Sequence, residues 1–160
     1  MEFRHLEKVL NEYGERVKET YRGYLASEGV NASGSLSNTI SVQVDSKGSK
    51  YEVCLNLNEY WKWIEGGRPP TKSSGDGQLR RAILDWIRVK PVLPTPFNGK
   101  LPTEEQLAYL ISRKIHTEGY EGKGLLKQSL SDNEDFILNI QYAMLEDVAE
   151  DVDKIMMIFR

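Results

Sequence analysis

The histidines and the single cysteine are the side chains of this sequence best suited to chemistry. His5 and His116 lie far apart in the chain, and Cys54 is its only thiol. A zinc site or a catalytic triad needs several such groups brought together, and no acidic or thiol motif stands beside either histidine. We therefore expect capping or surface roles for the histidines, a packing role for Cys54, and no enzymatic activity, metal or cofactor.

A glycine-rich stretch superficially resembles a phosphate-binding loop. It reads Gly119-Tyr120-Glu121-Gly122-Lys123-Gly124. It follows a predicted helix rather than a strand, and it lacks the GxxxxGK[ST] spacing. We interpret it as a flexible connector.

Acidic residues recur at a spacing of four near the C-terminus, in the pairs Glu146/Glu150 and Asp147/Asp151. Like charges at this spacing destabilise an isolated helix by roughly 0.2–0.5 kcal/mol. We expect them on a solvated outer face or on a docking or channel-facing surface. Residues 62–127 carry 12 Lys and Arg against 7 Asp and Glu, whereas residues 134–160 carry 7 acids against 2 bases. Opposite charge of this kind can orient partners.

Length and composition favour one ordinary globular domain. The 160 residues are 39% hydrophobic with a net charge of −3, and no apolar run approaches the roughly 18 residues of a membrane span. The N-terminal residues 1–5 lack the apolar stretch of a signal peptide, and one cysteine excludes an internal disulfide. We expect a single α+β domain, residues 1–160, that folds in a reducing cytoplasm.

Apolar spacings of three and four predict a long helix at each end of the chain. The first helix ends before Gly29, and its apolar stripe is Phe3, Leu6, Leu10, Tyr13, Val17, Tyr21 and Tyr24. The last helix begins near Glu134, and its predicted inward residues are Ile140, Met144, Val148, Val152, Ile155 and Phe159.

Alternating apolar residues predict a small antiparallel sheet between these helices. Two strands flank a turn at 45–49, with the inward residues Ile40, Val42 and Val44 before it and Tyr51, Val53, Leu55 and Leu57 after it. A helical insert of about 78–118 follows. One helix runs from Leu79 to about Lys90, with Leu79, Ile83, Trp86 and Ile87 on one face. The next starts at the capping-box pattern Thr103–Gln106 and carries Leu107, Leu110, Ile111 and Ile115.

An aromatic cluster precedes a loop rich in glycine and proline. Tyr60 and Trp61 share a helix face with Ile64 and are expected in the core, whereas Trp63 has a different phase and is expected at an interface. Two prolines follow two glycines, and the next residues have nothing apolar to bury. We predict an exposed, mobile loop from Gly66 to Gly77 that becomes ordered on assembly.

Three stretches resemble the tail-completion and head–tail joining proteins of tailed phages. Residues 33–40, SGSLSNTI, are similar to the family's T-G-x-L-x-x-S-I, and residues 60–70, YWKWIEGGRPP, resemble its Y-A-x-Y-V-E-x-G-T-R-P. Residues 108–115 resemble the A-x-x-I-x-R-K-I helix of longer members. The chain departs from the family at residues 29–32, where A-P-V-D is common, and at Leu125, where Pro-Phe is usual.

This resemblance implies a structural subunit of a virion, assembled in the host cytoplasm, that forms a ring at the head–tail junction or tail. The homo-oligomer would surround the genomic DNA without sequence-specific binding and contact other neck, portal or tail proteins, but no membrane. A nucleic-acid-binding regulator is the alternative, against which the acidic net charge and the lack of a basic recognition helix count. The predicted subunit-interface residues are Trp63, Arg68, Pro69, Pro70, Glu146, Asp147, Glu150 and Asp151.

Overall fold

The computed structural model describes residues 3–30, 34–48, 50–71, 77–90, 92, 94–96 and 99–158. These residues form an α+β fold, as predicted, with a long helix at each end, two small antiparallel sheets and shorter helices between them. No helix in these ranges is long and apolar enough to cross a membrane.

The order of the elements confirms the predicted terminal helices, the hairpin and the two helices of the insert. The short helix at Ser35–Thr39 and the two-residue strands at Gly67–Arg68 and Tyr120–Glu121 were not predicted. The elements are α1 (Arg4–Ser27), α2 (Ser35–Thr39), β1 (Ser41–Lys47), β2 (Lys50–Asn56), α3 (Trp61–Gly66), β3 (Gly67–Arg68), α4 (Gln78–Val89), α5 (Glu104–Glu118), β4 (Tyr120–Glu121), α6 (Leu125–Ser131) and α7 (Ile137–Ile158), with a 3-10 turn at Glu134–Phe136 before α7.

The β1–β2 hairpin packs directly on the backbone of α1. Val42 pairs with Leu55 and Val44 with Val53, which confirms the predicted alternation. Gly14 of α1 is buried, and a Cβ at this position would clash with the side chain of Val42 and lie 2.9 Å from that of Val53. The absence of a side chain at Gly14 therefore lets helix and sheet approach closely.

The hairpin turn is tighter than the predicted turn at 45–49. Strand pairing continues to Lys47 opposite Lys50, so only two residues connect the strands. Gly48 has a φ of 65°, the left-handed conformation that two-residue hairpin turns require.

The main core cluster joins α1 to α2, α3 and α6. Ile64 lies in it, as predicted, and Trp61 packs against its edge. Tyr60 is 51% exposed, so its predicted core position is wrong. The buried members of the cluster are Tyr21, Leu25, Leu36, Ile40, Ile64 and Leu125.

The two helices of the insert pack on each other. Ile87 of α4 and Ala108 of α5 are buried, and Nε of Arg88 lies 3.4 Å from a carboxylate oxygen of Glu104. The capping box is confirmed, because Thr103 Oγ1 accepts from the N–H of Gln106 and the Gln106 side chain accepts from the N–H of Thr103. Leu110 is 53% exposed, so its predicted inward position is wrong.

α7 packs along α1 with a face that only partly overlaps the predicted one, since the predicted inward residues Ile140 and Val148 are half-buried. Its buried residues are Ala143 and Asp147, whereas Met144, Val152 and Ile155 are 50%, 50% and 54% exposed. The small side chain of Ala143 permits close approach to α1, so the inward face is not marked by large apolar residues. The predicted inward residue Phe159 lies outside the described residues.

Candidate interaction surfaces

Asp147 is buried and caps a helix that is distant in sequence. Its side chain is 2% exposed, and its two carboxylate oxygens accept hydrogen bonds from the backbone N–H groups of His5 (3.0 Å) and Leu6 (2.8 Å). The first N–H groups of a helix have no partner within it, and Phe3 supplies no side-chain cap. Asp147 thus ties α7 to the start of α1, and its predicted exposed position is wrong.

His5 lies among three acids of α7. Its Nε2 is 3.0 Å from a carboxylate oxygen of Glu150, and its Nδ1 is 3.6 Å from one of Glu146. The hydrogen bond with Glu150 contributes most to a raised pKa of His5, desolvation opposes it, and the charges of Glu150, Asp147 and Glu146 raise it further. Two predicted interface acids therefore have an ionic partner in their own chain.

The predicted interface acids of α7 differ in exposure. The side chains of Glu146 and Glu150 are 67% and 55% exposed. Asp151 is only 20% exposed and lies 3.0 Å from Nζ of Lys154. Asp153 is exposed as well. We call Glu146, Glu150 and Asp153 the acidic flank of α7; these are the acids that a partner can reach.

Close backbone contacts hold the segment after α3 against the segment after α5. β3 and β4 pair, with Gly67 opposite Glu121 and Arg68 opposite Tyr120. A Cβ at Gly67, Gly119 or Gly122 would come within 3.0 Å of the facing backbone. We call these three residues the glycine clasp, because only glycine permits this approach.

The glycine clasp overturns two predictions. Residues 66–68 end α3 and form β3, and the N–H of Thr71 donates to the carbonyl of His116 at 2.8 Å. The prediction of a mobile loop is therefore wrong for residues 66–68 and for Thr71. Residues 72–76 lie outside the described residues. The predicted flexible connector at 119–124 is wrong too, since it contains β4.

Glu65 provides a second cap between distant segments. Its carboxylate accepts hydrogen bonds from the N–H groups of Leu126 (2.9 Å) and Lys127 (3.0 Å) at the start of α6. The N–H of Lys123 donates to the carbonyl of Ile64 at 2.7 Å. α3, the glycine clasp and α6 are therefore connected by hydrogen bonds.

The other four predicted interface residues lie beside the glycine clasp. The guanidinium carbon of Arg68 is 5.5 Å from the ring centroid of Trp63, within cation–π range. Trp63 is 44% exposed, and Pro69 and Pro70 are exposed. The structure thus brings Trp63 and Arg68 together at the surface; their contact with another subunit stays a prediction.

The remaining side chains suited to chemistry contact separate partners. Sγ of Cys54 is 3.7 Å from the carboxylate of Asp45, and partial burial together with Asp45 raises the pKa of the thiol. Nδ1 of His116 is 2.5 Å from Oγ1 of Thr71. Across the described ranges, no group of three or more His, Cys, Asp or Glu side chains is placed to hold a metal ion.

A cleft of about 600 Å³ lies between the α4–α5 pair and the rest of the fold. We call it the insert cleft. Arg68, Glu121 and Lys123 bring charge to it, and Gly29 and Val30 place it beside the end of α1. Most of its lining is apolar, from Leu79, Ala82, Ile83 and Trp86 of α4, Ile111 and Ile115 of α5, and Tyr60, Trp63, Ile64 and Tyr120.

An apolar stripe runs along the outer side of α7. Its members alternate spacings of four and three, which places them opposite Ala143 and Asp147 on a helix of 3.6 residues per turn. All are exposed, from 50% for Val152 to 67% for Tyr142 among the large ones. The stripe is about 27 Å long at 1.5 Å per residue. This outer stripe consists of Leu138, Tyr142, Leu145, Ala149, Val152 and Met156.

Sequence reasoning missed the outer stripe although its spacing was present in the sequence. A second apolar row, through Ile140, Met144 and Val148, has a similar period and was assigned to the core. Contact with α1 distinguishes the two rows, and that contact depends on Ala143 and Asp147. The caps at Asp147 and Glu65 had no local signal, because their partners are distant in sequence.

The chain matches no protein-family model, no curated protein and no solved structure.

Proposed function

We propose that the protein is a structural subunit of a phage virion that assembles into a ring around the DNA path, at the head–tail junction or in the tail. The observation that carries this proposal is the outer stripe of α7. Large exposed apolar patches mark interaction sites in soluble proteins, and a spacing of three and four favours packing against another helix.

The outer stripe indicates an interaction protein, and the resemblance to tail-completion and head–tail joining proteins is the reason for proposing a ring. Part of the resembling stretch, residues 60–70, contains Glu65 and the clasp residue Gly67, so it lies in a well-held part of the fold. A fixed segment with exposed Trp63 and two exposed prolines is suited to a repeated contact between subunits. In such a protein, function consists of geometry rather than chemistry.

Light scattering coupled to size-exclusion chromatography, followed by negative-stain electron microscopy, tests this proposal. The purified chain should form oligomers of several copies that appear as rings with a central opening. A chain that stays monomeric over the whole accessible concentration range contradicts the ring. Sequence-specific binding of duplex DNA by the monomer would favour the regulator instead.

A matched pair of variants tests the role of the outer stripe. Leu145→Gln places an amide in the middle of the stripe and should shift the oligomer towards monomer. Leu110→Gln is the control, because Leu110 is also exposed, at 53% against 63% for Leu145, but lies on α5. Equal effects of the two variants would show that the stripe has no special role in assembly.

A further inference from the structure

The last two turns of α7 extend beyond the helix on which α7 packs. α1 and α7 run antiparallel, since Arg16 contacts Asp135 at 3.3 Å and His5 contacts Glu150 at 3.0 Å. α1 begins at Arg4, so residues 152–158 lie past its start. All of them are exposed. We call residues 152–158 the projecting end; its apolar members are Val152, Ile155, Met156, Met157 and Ile158, which are 50% to 79% exposed.

The insert cleft lies at the opposite end of α1. Gly29 and Val30, which follow α1 directly, line it. The 24 residues of α1 span about 36 Å at 1.5 Å per residue. The projecting end of a chain therefore cannot reach the cleft of the same chain, whereas that of a second copy can.

Both surfaces are largely apolar. The cleft is open, mostly apolar and about 600 Å³ in volume. The projecting end is two helical turns with Val152, Ile155 and Met156 at the spacing of an amphipathic face. Docking the apolar face of a helix in an apolar groove is a common mode of recognition.

The net charges around the two surfaces have opposite signs. α4, which forms one wall of the cleft, and the residue after it carry Arg80, Arg81, Arg88 and Lys90 against the single acid Asp85. These four lie around the cleft, whereas the charged residues that line it are Arg68, Lys123 and the acid Glu121, and Lys123 pairs with Glu28. α7 bears the acidic flank of Glu146, Glu150 and Asp153 beside and within the projecting end. Complementary charge of this kind sets the orientation of partners and speeds their encounter.

We propose that the projecting end of one copy occupies the insert cleft of the next copy. This inference rests on the proposed self-assembly and specifies its contact. Because the two surfaces lie at opposite ends of the subunit, the contact is head to tail, and its repetition closes a ring when the rotation between subunits permits. Each copy then donates one helix end and accepts one.

Two variants interrupt the two sides of this contact. Val152→Gln combined with Met156→Gln makes the projecting end polar, and Ala82→Trp fills the cleft from the exposed Ala82 of α4. Each should raise the dissociation constant by at least about tenfold and yield monomers where the wild type is assembled. Val89→Trp is the control for the cleft, since the uncharged Val89 is also on α4 and exposed but does not line it. Circular dichroism verifies that each variant is folded.

Mixing the two variants gives the decisive measurement. The cleft of the end variant and the projecting end of the cleft variant are both intact, so a mixture should form one junction and stop as a dimer containing one of each. Native mass spectrometry of isotope-labelled chains identifies that dimer. No dimer in the mixture, or normal assembly by either variant alone, overturns the inference.

The same experiment separates this inference from the proposed function. If the Ala82→Trp variant still assembles into rings, the proposed ring-forming function is supported and the proposed cleft contact is wrong. Loss of assembly in the end variant alone would indicate that α7 pairs elsewhere, with α7 of a second copy or another surface, and would also overturn the cleft contact. A wild-type chain that remains monomeric overturns both.

Discussion

At the scale of residues, two buried or half-buried carboxylates connect segments that are distant in sequence. Asp147 caps α1 and Glu65 caps α6, each through two backbone N–H groups. Such bonds satisfy donors that the helices themselves leave unpaired. Asp147 therefore contributes to the stability of the subunit, while the acidic flank beside it remains accessible to partners.

Replacing Asp147 should destabilise the subunit. Asp147→Ala leaves the N–H groups of His5 and Leu6 without their partner, and we expect the free energy of unfolding to fall by about 1–3 kcal/mol. Urea denaturation of the wild type and the variant measures it. Asp153→Ala, an exposed acid of the same helix, should change the value by no more than about 0.5 kcal/mol. Similar losses in both variants would contradict the capping role.

His5 should make stability depend on pH. Its folded pKa is raised above the ordinary value of 6.5. A group with a raised folded pKa contributes stability that is fully present below the unfolded pKa and is lost as the pH rises through the folded pKa. We expect wild type to exceed His5→Gln in unfolding free energy by more at about pH 5.5 than at about pH 8.5. If the difference in unfolding free energy between the two proteins stayed constant across this pH range, the proposed contribution of His5 to stability would be contradicted.

At the scale of elements, the packing of α1 depends on where its glycines lie. A Cβ built on Gly14 would contact the side chains of Val42 and Val53 in the β1–β2 hairpin. Nothing lies within 4 Å of a Cβ built on Gly23. Both glycines are inside α1, so both weaken the helix because glycine has a low intrinsic helix propensity. Tertiary contact alone distinguishes them.

The two glycine-to-alanine variants of α1 should have opposite effects. Gly23→Ala should raise the free energy of unfolding by about 0.5–1 kcal/mol through helix propensity. Gly14→Ala should lower it by about 1–3 kcal/mol, because the new methyl group forces β1 away from the helix. Urea denaturation of both variants measures the difference. Stabilisation by Gly14→Ala would show that the hairpin moves without loss.

At the scale of the whole molecule, opposite charges lie on surfaces at opposite ends of the subunit. α7 carries the acidic flank, and the insert carries the excess of basic residues. Exposed charges are screened beyond about 8–10 Å at physiological ionic strength, and each exposed pair contributes about 0–1 kcal/mol. Charge should therefore orient the subunits, while apolar contact provides most of the affinity.

Assembly should weaken gradually as salt concentration rises. Reversing Glu146 and Asp153 to lysine should weaken it further while leaving the buried Asp147 cap intact. Reversing Glu12 and Glu19 of α1 makes the same change in net charge at other exposed positions and serves as the control. Light scattering across a salt series measures the oligomer fraction. Normal rings that retain DNA would instead place the acidic flank on the channel, and no change in either property would leave it as a solvated surface.

The sequence by itself determined the local structure of this protein. The long helices, the alternation of Val42 and Val44 with polar residues, and the Thr103–Gln106 capping box follow from periods and contacts between near neighbours, which a one-dimensional pattern contains. Only the tertiary structure decided which face of α7 is buried, that Asp147 and Glu65 cap distant helices, and that Gly67, Gly119 and Gly122 form a clasp. In each case the partner is far away in sequence, so neither spacing nor composition could reveal it.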